Sequence, residues 1–404
     1  MKQSKFICSL PFEHISVHPH GVCSICCEAN FSSPQSFATK EGKILNVNEG
    51  VENIINSDTY KEIRKQMLNG EVPDACLKCH KVEQAGGFSK RQYVTPENTE
   101  YNAEEDGTIA VDLKNIELRL GNYCNLKCRG CNAESSTSWI PDYHKLKDKV
   151  RLQSNYDLVL KDPSTDYSWA ESEDFYADLF KFTNELDLLQ ISGGEPFLVD
   201  KHSALLDKLI DDGQSKNITV SYITNANYKI ERIHPILEKL KRFKHVHISI
   251  SIDDVGPRNT YMRGLSSWKL TIDNLKKLTE NYKFDYTITQ TFNIYNFLYF
   301  EQLEQFLISE NIKVPININH IFDPDCLSIN ALPLEIRREK IDSVKGKVSD
   351  YIYDDMYGKY YNTECNNLIK DFYTYTVEVD KIRNQSLEKT LPELFNVITP
   401  LLNE

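Results

Sequence analysis

The chain has 404 residues, enough for two or three domains and a core of ordinary size, and a formal charge of −12 from 47 basic and 59 acidic residues. Apolar residues make up 40% and aromatics 11%, so the chain folds, while its acidity opposes a nucleic-acid partner, whose affinity is built from clustered Lys and Arg. No run approaches the roughly 18 apolar residues that cross a bilayer, and the short apolar patch at the N-terminus is broken by Pro11, Glu13 and His14, so the sequence predicts a cytoplasmic protein with no signal peptide and no membrane association.

Residues 1–92 hold six of the eleven cysteines, namely Cys8, Cys23, Cys26, Cys27, Cys76 and Cys79, and an amphipathic helix around Tyr60 to Leu68. This stretch reads as a small separate module. Within it His14, His18 and His20 alternate with other residues, a pattern read as a polar strand edge or turn, with metal ligation the alternative. Residues 86–91, GGFSKR, are basic and glycine-rich, and read as a solvated turn, with a substrate-contacting loop the alternative. Residues 93–111 form a polar, acidic connection containing Pro96, Glu97, Glu100, Glu104, Glu105 and Asp106.

From residue 112 to 325 short β-rich runs alternate with helical patterns. The strand candidates are residues 116–120, 186–191, 218–223, 246–252, 284–291 and 314–321. Between them Leu205, Leu206, Leu209 and Ile210, then Ile233, Ile236, Leu237 and Leu240, recur at helical spacing. Alternating β and α units predict an α/β fold, a parallel sheet or open barrel with its function at the C-terminal ends of the strands. Residues 326–404 read as a helical region without obvious chemistry, and Cys326 and Cys365 as buried apolar residues. There is no internal repeat and no low-complexity tract.

Nine of the eleven cysteines fall before residue 132, which points to thiolate ligands in a reducing compartment rather than to disulfides. Cys124, Cys128 and Cys131 form CxxxCxxC directly after the first of the six strands. Three thiolates on one short loop hold three irons of a cubane and leave the fourth open, the arrangement that separates a cluster doing chemistry from one that only passes electrons. Half of a zinc site is the alternative. About 60 residues on, Ser192-Gly193-Gly194-Glu195-Pro196 follows the second strand. Glycine there lets a backbone approach a ligand closely, and a carboxylate complements an ammonium.

In these motifs and their order the sequence resembles the radical S-adenosylmethionine superfamily, with the resemblance covering roughly residues 112–325. It implies a partial (β/α)6 TIM-like barrel, and a [4Fe-4S] cluster on Cys124, Cys128 and Cys131 that S-adenosyl-L-methionine chelates through its amino and carboxylate groups. Gly193, Gly194, Glu195 and Pro196 would meet the methionine end of that cofactor. Asn225, Ser249, Ser251 and Arg263 stand where relatives contact the cofactor, with strand and helix capping the alternative for the first three and an exposed surface role for Arg263. The family often has an aromatic residue before its third cysteine, where this chain has Gly130.

Cys8, Gly21 and Cys26, followed by Cys76 and Cys79, resemble the start of SPASM or twitch auxiliary-cluster modules, implying a second [4Fe-4S] cluster on Cys8, Cys26, Cys76 and Cys79. Cys27 competes with Cys26, Cys23 is not excluded by spacing, and structural zinc is the alternative metal. The implied reaction is reductive cleavage of S-adenosylmethionine to a 5′-deoxyadenosyl radical that takes hydrogen from a substrate carbon, with electrons from a flavodoxin- or ferredoxin-type partner. The substrate is expected to be a peptide, oxidised, epimerised or crosslinked, or else a small sugar- or cyclitol-type metabolite. A non-catalytic iron-sulfur or zinc protein is the competing class, and it predicts four ligands at every site. No catalytic residue is singled out.

Overall fold

The structure, a computed structural model, describes residues 6–403 except 32, 85, 98 and 153–166. The chain divides into two packed units, one comprising Met1–Asn122, Ser164–Tyr222 and Ile233–Val246, the other Tyr123–Pro163, Ile223–Arg232 and His247–Glu404. Its strands are β1 (His14–Val17), β2 (Cys23–Ser24), β3 (Thr39–Lys40), β4 (Lys43–Ile44), β5 (Asn115–Leu120), β6 (Leu188–Gly193), β7 (Thr219–Thr224), β8 (His245–Ser251), β9 (Asp285–Phe292) and β10 (Ile316–His320). All six strands expected from the β-rich runs form, as β5 to β10.

In the first unit β1 pairs antiparallel with β2 and parallel with β5, which in turn runs parallel to β6 and β6 to β7. The period-2 alternation of β5 explains its placement. Ile116, Leu118 and Leu120 are fully buried on one face, each contributing about 1.5–3 kcal/mol of burial, while the other face carries Glu117 and the half-buried Arg119. The helix His202–Asp211 covers the unit with Leu205, Leu206 and Leu209. In the N-terminal module the helix Asp58–Leu68 buries Arg64, whose guanidinium donates to the carbonyls of Pro11, Ile55 and Gly107 at 2.8, 2.9 and 2.8 Å. One buried cation thereby ties the helix to the acidic connection.

In the second unit β8, β9 and β10 run parallel. The helices Leu334–Ser343, Asp350–Tyr360 and Ile369–Arg383 bury Ile341, Met356, Phe372 and Val379 in one core with Phe292, Phe297 and Phe300. The whole is a mostly parallel α/β fold of the partial TIM-like kind followed by a helical C-terminal region. Cys326 is buried in that core as expected, but Cys365 is only half-buried, because its segment lies outside regular structure and its thiol sits 3.8 Å from the carbonyl of Ala331.

Candidate functional site

Six thiols of the first unit lie on three short segments. Cys8 precedes the helix Leu10–Glu13 and is fastened by Ser9, whose N–H donates to Thr95 at 3.2 Å and whose hydroxyl donates to the Val94 carbonyl at 3.0 Å. Cys26 and Cys27 follow the β1–β2 hairpin, which reverses at Gly21 with φ +81°; a Cβ there would stand 2.7 Å from the Asn46 side chain. Cys76 closes a short helical turn and Cys79 sits on the helix Leu77–Gln84. The Asn30 N–H donates to the Ala75 carbonyl at 2.9 Å and joins the second segment to the third.

These thiols feel one another. Burial pushes Cys8 up to about 11, and the charge of Cys79 adds to it. Burial also raises Cys76, with Cys8 and Cys79 as its charged neighbours, and raises Cys26, with Cys27, Cys8 and Cys76 as its neighbours. A cation bound among Cys8, Cys26, Cys76 and Cys79 would relieve that mutual repulsion, which is how a thiolate metal site fits its ion. Cys27 faces other groups: Lys90 donates to its Sγ at 2.7 Å, and Glu117 and Glu28 are nearby. Cys23 is fully buried in β2, its thiol 3.7 Å from the Gly21 carbonyl. Of the alternating histidines His14 lies on β1, and His18 and His20 follow it; β1 is flanked by β5 and β2 and is buried, so the strand is interior rather than the polar edge expected. His14 Nδ1 donates to the Asn115 carbonyl at 3.0 Å and His18 Nε2 bonds the Ser24 hydroxyl at 3.0 Å.

In the second unit Cys124, Cys128 and Cys131 share the loop after β5. Burial raises Cys131, with Cys128 and Cys124 as its charged neighbours. Burial raises Cys128 too, against the nearby cations Arg263 and Arg383. Asn225, after β7, reaches Cys124 Sγ at 3.8 Å and donates to Asn125 Oδ1 at 2.9 Å. Arg263 is buried rather than on the surface, since its Nη1 donates to Asp253 Oδ2 at 3.0 Å and Asp253 is itself held by the Thr291 N–H. Ser249 bonds the Thr289 hydroxyl at 2.6 Å, and Ser251 ends β8 half-buried. At Gly130 a Cβ would stand 2.2 Å from Ile321 Cδ1, so a larger residue there would require that side chain to move.

In the first unit Gly193 ends β6 with φ +122°, and a Cβ there would stand 2.6 Å from the Leu120 nitrogen. Only glycine allows that approach of the two strand ends. The Gly194 N–H donates to the Gly121 carbonyl at 3.3 Å. Glu195 is fully buried, and its carboxylate accepts the Phe197 N–H at 3.2 Å, capping the turn Pro196–Leu198.

Arg129, between the second and third loop cysteines, escaped the sequence reading. Its guanidinium is 1% exposed, pairs with Asp380, donates to Gln385 Oε1 at 2.9 Å and to the Tyr261 carbonyl at 3.1 Å, and lies 3.7 Å over the Tyr261 ring. Its own carbonyl accepts Tyr375 at 2.8 Å. Arg383 adds a second clamp: it pairs with Asp142 at 2.8 Å and lies over Trp139, whose indole N–H donates to the Cys128 carbonyl at 2.7 Å. The C-terminal helical region thus holds the cysteine loop. A cavity of about 930 Å³ lined by His247, Lys276, Tyr286 and Lys313 lies at the N-terminal ends of β8 and β9, and its lining includes no cysteine.

Residues 118–307 match the Radical SAM superfamily, and residues 8–80 match the SPASM iron-sulfur cluster-binding domain. An uncharacterised protein of Methanocaldococcus jannaschii is 26% identical over 208 residues, 50% of this chain and 60% of the relative. The solved structure of native anSMEcpe with bound AdoMet is 17% identical, with a TM-score of 0.40 and coverage of 59% of this chain and 60% of that one. Streptococcus suis SuiB bound to S-adenosylmethionine is 18% identical, with a TM-score of 0.33 and coverage of 58% and 46%. The matched stretch thus spans about 60% of the Methanocaldococcus relative's length.

Proposed function

We propose that this chain, which belongs to the radical SAM superfamily and carries a SPASM domain ahead of that core, reductively cleaves S-adenosylmethionine and takes hydrogen from a carbon of a peptide. Its cofactors are a [4Fe-4S] cluster and S-adenosylmethionine for the core and an auxiliary iron-sulfur cluster for the SPASM domain. The observation that carries the reading is that Cys124, Cys128 and Cys131 share the short loop after β5, with Cys128 and Cys124 as the charged thiol neighbours of Cys131; three ligands leave one iron of a cubane open to S-adenosylmethionine. When bound, the cluster and S-adenosylmethionine supply one-electron cleavage of a carbon–sulfur bond and the 5′-deoxyadenosyl radical that follows, chemistry that belongs to the cofactors.

The chain's own share is to hold charge and exclude water. Cys124, Cys128 and Cys131 would ligate iron; burial raises the Cys128 and Cys131 thiols, and the charge of Arg263 works against that rise at both, with Asp253 opposing it at Cys128. Gly193, Gly194, Glu195, Pro196, Asn225, Ser249 and Ser251 are our candidates for contacts to S-adenosylmethionine. Cys8, Cys26, Cys76 and Cys79 are our ligands for the auxiliary cluster, which would supply an acceptor for the one electron released when a substrate radical is oxidised. A flavodoxin- or ferredoxin-type protein is the proposed reductant. Among the described residues no helix is long and apolar enough to cross a membrane.

The test is anaerobic reconstitution. The protein should hold about eight irons, as two cubanes require, and should form 5′-deoxyadenosine on addition of dithionite and S-adenosylmethionine. Absence of 5′-deoxyadenosine overturns the reading, whereas about four irons with stoichiometric zinc would make the N-terminal site structural zinc.

A second expectation separates the adjacent thiols. Besides Cys27 itself, Cys26 has Cys8 and Cys76 as charged neighbours, while the Cys27 thiol is in contact with Lys90 at 2.7 Å. In the background lacking the three loop cysteines, Cys26→Ala should lose most of the remaining iron and sulfide and Cys27→Ala should keep nearly all of it. The reverse result would move the ligand by one residue.

A further inference from the structure

The basic loop 86–91 has no part in the function as read so far. Ser89 begins the helix Lys90–Val94 with a complete capping box, accepting the Gln92 N–H at 3.3 Å while the Gln92 side chain accepts the Ser89 N–H at 2.9 Å. Arg91 is paired to Glu83 at 2.6 Å and donates to the Ile7 carbonyl at 3.0 Å, directly before Cys8. The motif is therefore folded onto the cysteine module, with both cations turned to it. Lys90 is half-buried, donates to Cys27 Sγ at 2.7 Å, and counts Cys26 and Glu117 among its charged neighbours.

We propose that Lys90 is a positioning residue of the auxiliary centre, a fixed cation that acts through Cys27 on the adjacent ligand Cys26 and raises the reduction potential of the cluster. The proposal rests on reading Cys8, Cys26, Cys76 and Cys79 as its ligands. Reduction adds one negative charge to a cluster, so a cation held close by favours the reduced form, and partial burial keeps water from screening it. Glu117, which shares a side-chain hydrogen bond with Cys27, brings an opposing charge that Lys90 faces together with Arg119, whose Nη2 lies 3.4 Å from the same carboxylate. Glu28, the other acid near Cys27, is paired with Lys78. Among the described residues, Lys90 is the cation in contact with a thiol of this segment.

The experiment is a redox titration of the auxiliary cluster, followed by electron paramagnetic resonance, in the full chain carrying Cys124→Ala, Cys128→Ala and Cys131→Ala so that one cluster remains. Lys90→Gln keeps a hydrogen-bond donor and removes the charge. At fixed solution potential its ratio of reduced to oxidised cluster should fall at least tenfold, about 59 mV for one electron, with iron and sulfide unchanged. Lys90→Arg should stay within about threefold of the parent. An unshifted potential in Lys90→Gln with iron intact overturns the proposal alone. Loss of iron in Lys90→Gln also overturns it, by making Lys90 a folding residue. A parent module without iron overturns both the proposal and the ligand reading beneath it.

Discussion

Replacing Cys124, Cys128 and Cys131 together by Ala abolishes 5′-deoxyadenosine formation and leaves about four irons per chain, because one cubane carries four. The argument is separation of ligand sets. The charged thiol neighbours of Cys131 are Cys128 and Cys124, and those of Cys76 are Cys8 and Cys79, so removing the first set leaves the second intact. The loop itself is held by more than the metal. Lys127 N–H bonds the Gly264 carbonyl at 3.0 Å, Arg129 N–H the Met262 carbonyl at 2.7 Å, and the Ser138 hydroxyl the Cys124 carbonyl at 2.7 Å. The variant should therefore remain folded, and iron analysis beside a chromatographic assay for 5′-deoxyadenosine reads both halves. Persistence of 5′-deoxyadenosine at the parent rate would sink the radical reading, and loss of all iron would show that the sites depend on each other.

Replacing Arg129 by Met destabilises the second unit by about 3–5 kcal/mol, the usual cost of removing one partner from a buried ion pair. Asp380, whose side chain is largely buried, would be left with the Leu387 N–H at 2.7 Å but without its cation. The thermal midpoint should fall, and iron held by the loop should be lost faster on dilution into chelator. Changing both partners, Arg129→Met with Asp380→Leu, should recover most of the stability, since well-packed apolar groups often replace a buried pair at little cost. The Tyr375 bond to the residue 129 carbonyl survives in both variants because it is made to backbone. Were the single variant as stable as the parent, the ion pair would not be what fastens the loop.

The strands were readable because each is a short apolar alternation between turn signals. Ile116, Leu118 and Leu120 are one example, and Val246, Ile248 and Ile250 another. The cysteine chemistry was readable because thiolate spacing on a loop is local. What fastens the loop was not. Residue 129 falls in a position of CxxxCxxC that any side chain can occupy, and its partner Asp380 is 251 residues away, beyond any periodicity. Lys90 was visible as part of a basic motif, but only the fold turns it from solvent to Cys27. Arg263 likewise read as a possible surface residue until Asp253 was seen to bury it. Pairs joined across such sequence distances are set by tertiary packing, which local pattern does not encode.

The parallel pairing of β1 with β5 joins His14 to Asn115 and Val17 to Leu118, residues about 100 positions apart. At ribosomal rates of about 5–20 residues per second, that interval is roughly 5–20 s of synthesis. Within it the nascent chain adds Cys26, Cys76 and Cys79 in turn to Cys8, while one side of β1 has no partner strand. Assembly of this end of the protein is therefore timed by translation: the earliest cysteines to leave the ribosome wait for the strand that completes their support, and that same strand leads directly into the cysteines of the second set.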